Sequence, residues 1–144
     1  MIETTIARWH RHLRGELPGG LDELLHDDVV FFSPIVFTPQ RGKAVTKLYL
    51  EAAGATLGDG PTPGAGTAGA KVGGKFRYVS EIMSGNRAVL EFETEMDGKY
   101  VNGVDIITCD DQGKIVEFKV MIRPLQAINT VHEAMRAMLE QMQE

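Results

Sequence analysis

A chain of 144 residues is the size of one domain, with enough length for one core. It carries 20 acidic against 15 basic residues, a net charge of −5, which argues against the basic surface that nucleic-acid phosphates require. No apolar run approaches the roughly 20 residues of a membrane helix, and the N-terminus, MIETTIARWH, lacks a signal-peptide core. Cys109 is the single cysteine, so neither a disulfide framework nor a thiol pair for a metal is available. A reducing, cytoplasmic setting is the expectation.

Ile2, Ile6, Trp9 and Leu13 recur at helical spacing and predict a first helix, which Leu17-Pro18-Gly19-Gly20 ends. Arg8, Arg11 and Arg14 read as its solvated face. Leu21, Leu24 and Leu25 mark a short second helix, and Val29 to Phe32 a brief strand stopped by Ser33-Pro34. Residues 42–57 read as a third helix with Val45, Leu48, Tyr49 and Ala52 on its inner side. Residues 54–75 hold eight of the sixteen glycines, too much backbone entropy to order into a core element, and predict a flexible loop near a pocket entrance. Within it GAKVGGK matches a phosphate-loop spacing, but Phe76 replaces the metal-binding hydroxyl and a strand replaces the helix, so that reading is set aside.

From Phe76 the period becomes two. Phe76–Met83, Ala88–Met96, Tyr100–Cys109 and Ile115–Arg123 predict four strands, and residues 124–143 a last helix with Leu125, Ile128, Val131, Met135, Met138 and Met142 as its stripe. Helices followed by an antiparallel meander and a tail helix make an α+β fold, a strongly bent sheet wrapped on one side.

The turns set the register. A two-residue turn at Asp97-Gly98 puts Leu90 opposite Asp105, Phe92 opposite Gly103 and Thr94 opposite Val101. Pairing Asp110 with Gly113 puts Asp105 opposite Phe118, Gly103 opposite Val120 and Val101 opposite Ile122. Both turns gather Leu90, Phe92, Thr94, Met96, Val101, Gly103, Ile107, Val116, Phe118, Val120 and Ile122 on the inward face, with Asp105 its one charged group. Glu91, Glu93, Glu95, Asn102, Glu117, Lys119 and Arg123 face outward. Tyr100, Val104, Ile106 and Met121 add apolar groups there, which predicts a homodimer through that surface. A carboxyl buried among apolar groups has a raised pKa. It is kept either because a hydroxyl, a histidine or a backbone N–H satisfies it, or because it serves a ligand as acid or hydrogen-bond donor. His10 is placed either at the pocket mouth, within reach of Asp105, or at the surface. His26 and His132 have no partner at ligand spacing, so neither a metal nor a cofactor is expected.

The stretch DIITCDDQGKI, from Asp105 to Ile115, and the run VNGVDI…GKIVEFKVMIRPL resemble the nuclear transport factor 2-like superfamily, in its SnoaL-like and ketosteroid isomerase branch. The resemblance spans about residues 5 to 125. It implies a cone-shaped half-barrel around one apolar pocket, a hydrophobic small molecule as partner, and Asp105 as the acid/base. Pocket-lining positions would be Trp9, Phe32, Ser33, Tyr49, Leu90, Phe92, Val101, Phe118, Val120 and Ile122. Ser33 stands where the isomerases carry their general base, and Trp9 where they carry a first-helix tyrosine. Steroid isomerisation by the isomerases' own mechanism is therefore disfavoured. The Asp-Arg-Asp set of the epoxide hydrolase branch is missing as well, because Arg123 faces outward. A SnoaL-type acid/base on one carboxyl remains as the enzymatic reading, and a non-catalytic binding or dimerisation module as the other.

Overall fold

The protein is described by a computed structural model over residues 1–56 and 76–143. Residues 57–75, and with them the expected loop and the phosphate-loop pattern, lie outside the described residues. The order is α1 (Ile2–Leu13), α2 (Gly20–Leu24), β1 (Leu25–Phe32), β2 (Gln40–Arg41), α3 (Lys43–Thr56), β3 (Arg77–Ser84), β4 (Arg87–Met96), β5 (Lys99–Cys109), β6 (Ile115–Arg123) and α4 (Leu125–Gln143). Helix α1 buries Ile2, Thr5, Ile6 and Trp9, one face at the spacing the sequence predicts. Leu25, read as helical, instead opens β1, which starts earlier than Val29.

Helix α3 differs from expectation. Its buried residues are Thr46, Leu50 and Ala52, whereas Val45 and Leu48 are only half-buried. The reason is that Leu50 packs into one apolar cluster, Ala52 into a second, and Tyr49 touches both. A helix seated between two clusters buries a wider face than one stripe.

The six strands form one sheet in the order β2-β1-β6-β5-β4-β3. The meander β3 to β6 is antiparallel as expected, while β1 runs parallel to β6. The β4–β5 register is the predicted one, with Leu90 opposite Asp105, Phe92 opposite Gly103 and Thr94 opposite Val101. Asp97 and Gly98 take φ of 51° and 75°, the two left-handed positions of a type I′ turn.

The β5–β6 register departs by two residues. Asp105 faces Val120, Gly103 faces Ile122 and Ile107 faces Phe118. One residue comes from the turn, where the Asp110 amide donates to the Lys114 carbonyl and Gly113 sits at φ 80°. The other comes from a bulge between the Thr108–Glu117 and Cys109–Ile115 pairs. Two one-residue slips restore the face, so Phe118 stays inward, although Ile115 rather than Val116 is buried.

Gly103 is required by packing. A Cβ there would lie 2.6 Å from Phe92 Cζ and 2.5 Å from the Met121 carbonyl oxygen. Overpacking of that kind costs about 1–3 kcal/mol. On the outer side, the Asn102 amide donates to Glu91 Oε2 at 3.0 Å and accepts from Arg123 Nε at 2.8 Å, which buries it beneath charged neighbours. Among the described residues no helix is long and apolar enough to cross a membrane.

Candidate functional site

Asp105 is buried at 6% exposure, where the two apolar clusters meet. Its β4 partner Leu90 belongs to the first cluster, and its β6 partner Val120 packs against both. Its hydrogen-bond partner is Tyr78 of β3, whose hydroxyl donates to Oδ2 at 2.6 Å. Tyr78 in turn accepts from the Trp9 indole N–H at 3.0 Å. Burial drives the Asp105 carboxyl up from its ordinary 3.8 to about 7, and the Tyr78 hydrogen bond pulls the other way. Tyr78 itself is raised well above its ordinary value, by burial first and by the neighbouring Asp105 charge second, so it stays a neutral donor.

The expected lining residues fall into three groups. Trp9, Leu90 and Phe118 lie in the first cluster, the Trp9 ring 5.1 Å from that of Phe118. Phe92 and Val101 lie in the second, and Tyr49 bridges both while stacking on Phe31 at 5.3 Å. Phe32, Ser33, Val120 and Ile122 line a cleft of about 480 Å³, together with Pro34, Phe37, Pro39, Lys119 and Met121. Val120, which lines the cleft, is the β6 partner of Asp105, but Asp105 itself is not among the cleft's lining residues.

Three details are set by local chemistry. Phe31, not Phe32, is the aromatic of β1 turned into the core, and Phe32 instead lies under Lys119 Nζ at 4.8 Å. Ser33 Oγ accepts from the backbone amides of Ile35 at 3.0 Å and Val36 at 3.3 Å, so its lone pairs serve a turn. His10 pairs with Glu81 at 2.8 Å rather than with Asp105, and its ring meets the Tyr78 ring edge-on at 5.6 Å.

A buried carboxyl that titrates near neutrality can both donate and accept a proton at working pH. Trp9 and Tyr78 supply a fixed hydrogen-bond chain behind it. Sequence reasoning located Asp105 and Trp9 but not Tyr78, which a β3 bulge between Tyr78 and Ser80 turns inward opposite Phe92.

The sequence matches no family model and none of the curated proteins. Solved structures do match. A steroid delta-isomerase from Pseudomonas aeruginosa is 31% identical over 97% of this chain and 92% of its own, with a TM-score of 0.80. An uncharacterised protein with a cystatin-like fold from Silicibacter pomeroyi is 25% identical, covering 92% of this chain and 83% of that one, with a TM-score of 0.70. A putative polyketide cyclase from Sinorhizobium meliloti, 12% identical over 82% of this chain and 94% of its own with a TM-score of 0.53, shares the fold.

Proposed function

Because the chain belongs to the nuclear transport factor 2-like superfamily, in its SnoaL-like and ketosteroid isomerase-like branch, we propose that it is a cofactor-independent isomerase, cyclase or hydratase. Asp105 is its acid/base, and the substrate is a hydrophobic carbonyl compound. One observation carries this reading: a carboxyl buried among apolar groups and raised to about 7, with no cation beside it among the described residues. Neutral, it donates a hydrogen bond to a substrate carbonyl, and ionised, it takes a proton from the adjacent carbon. In this reading the substrate's apolar body lies in the cleft lined by Phe32, Ser33, Val120 and Ile122. The Ser33 hydroxyl hydrogen remains to donate to a polar substituent, since its lone pairs are occupied.

A second reading has its own support. Tyr78 satisfies Asp105, and Ser33 offers no base, so a binding module with a structural carboxyl accounts for the same contacts. The two separate in deuterium oxide with a panel of enolisable apolar ketones. Catalysed deuterium uptake at the carbon beside the carbonyl supports the enzyme. Saturable binding without uptake by any of them supports the binding module.

The proposal includes a homodimer through the outer sheet face. Tyr100 and Met121 are about half exposed, and on the same face Val104 stands opposite Met121 and Ile106 opposite Lys119. Light scattering is expected to give twice the 15.8 kDa chain mass at micromolar concentration, and a monomer mass would remove this element.

A further inference from the structure

The hydrogen bonds behind Asp105 run in one direction. An indole N–H donates only, so the Trp9 contact at 3.0 Å makes the Tyr78 oxygen an acceptor on that side. A phenolic hydrogen is held in the ring plane by conjugation and has two positions to choose from. With one direction filled by Trp9, the hydrogen takes the other, toward Asp105 Oδ2 at 2.6 Å. Oδ2 is then an acceptor in either charge state of the carboxyl.

We propose that Tyr78 is a positioning residue for Asp105: anchored by Trp9, it commits its hydroxyl hydrogen to Oδ2 and confines the exchangeable proton of the acid to Oδ1. The two oxygens therefore have fixed roles. Oδ1 is the one that gives and takes the proton, and Oδ2 is the one along which charge is relieved when it leaves. No bond is made or broken at Tyr78, which keeps its proton throughout. The surroundings do not compete for that role. From α1 the titratable group facing the pair is His10, from β3 Glu81, and these two pair with each other; from α3 it is Tyr49, stacked on Phe31. Strands β4, β5 and β6 bring Leu90, Phe92, Ile107 and Val120, which do not titrate. Among the described residues only burial and the Tyr78 hydrogen bond act on the carboxyl.

This inference rests on Asp105 being the site's acid, but its test needs no substrate, so it can fail while the functional reading stands, and the reverse. The Asp105 carboxyl is followed by carbon-13 NMR against pH in the intact protein. Losing a hydrogen bond to the charged form, Tyr78→Phe is expected to raise the midpoint by about one to two pH units. Trp9→Phe is expected to raise it by a smaller amount, because Tyr78 remains but is no longer aligned. A ring-fluorinated tyrosine at position 78 keeps the shape and is a stronger donor, so it should lower the midpoint. Opposite shifts from phenylalanine and fluorotyrosine are not produced by a merely structural contact, and the fluorotyrosine protein covers the case in which Tyr78→Phe does not fold. An unchanged midpoint in the fluorotyrosine protein, or one that falls in Tyr78→Phe, overturns the proposal. So does a Trp9→Phe midpoint identical to the wild type.

Discussion

Asp105→Asn is expected to reduce catalysed deuterium exchange by about 10²- to 10⁴-fold, the usual contribution of one positioned acid/base. The amide can still accept from Tyr78 and still occupies the carboxyl's volume, so the surrounding clusters have no reason to move. What it loses is the ability to hold a proton on one oxygen and release it near neutral pH. The wild-type rate should accordingly change with a midpoint near 7, the value to which burial raises the carboxyl, and the residual rate of the variant should not follow that midpoint. Exchange at the wild-type rate in Asp105→Asn would leave Asp105 without a catalytic part.

The same substitution is expected to stabilise the fold at neutral and alkaline pH. The Asp105 carboxyl is raised from 3.8 to about 7 on folding, so the folded state holds its proton more tightly than the unfolded chain does. A raised carboxyl contributes its full stability below the unfolded value, near 4, and loses it as pH climbs through 7. Each pH unit of the difference corresponds to about 1.4 kcal/mol, so the whole amounts to about 4 kcal/mol. Asparagine has no charge to desolvate and escapes that loss. Urea unfolding of both proteins at about pH 4 and about pH 8 should show the variant's advantage growing by a few kcal/mol. Groups far from the site, such as Asp110 with its lowered carboxyl, affect both proteins alike and cancel. A difference that stays constant across that range would show that Asp105 is not desolvated in solution. Lost exchange together with gained stability would mark a site where a charge is kept buried for its use rather than for the fold.

The inward face was legible because sheet geometry depends on odd and even positions. The Asp97-Gly98 turn is a strong local signal, and it fixed the partners of Leu90, Phe92 and Thr94. The Asp110 turn misled by one residue and the bulge beside Cys109 by another, and Phe118 and Val120 still lie inside, since a shift of two preserves the face. No such cancellation helped β3. Counting back from the Ser84–Arg87 pair without a bulge puts Val79 opposite Phe92 and turns Tyr78 outward. The bulge between Tyr78 and Ser80 adds one residue and reverses that, and nothing in the letters RYVSE announces it. The partner of Asp105 was hidden for this reason. Helix α3 was misjudged for another: a helix between two clusters has no single stripe to find, and Thr46 is buried where Val45 looked the better candidate. At Ser33 the resemblance marked the place of the isomerases' general base, filled here by a poor proton acceptor, but the two backbone amides that occupy its oxygen follow from the local turn, which the sequence alone does not display.

The closeness of Phe92 to Gly103 makes these two positions a single inheritance. The ring of one fills the volume that any side chain on the other would need, with its Cζ 2.6 Å from where a Cβ would begin. A scan that changes one residue at a time would record two intolerant sites and count them separately. Only a paired exchange, a smaller side chain at 92 taken together with a larger one at 103, would reveal that the constraint is on their sum. The Met121 carbonyl on the other side of Gly103 limits how far even that trade can go.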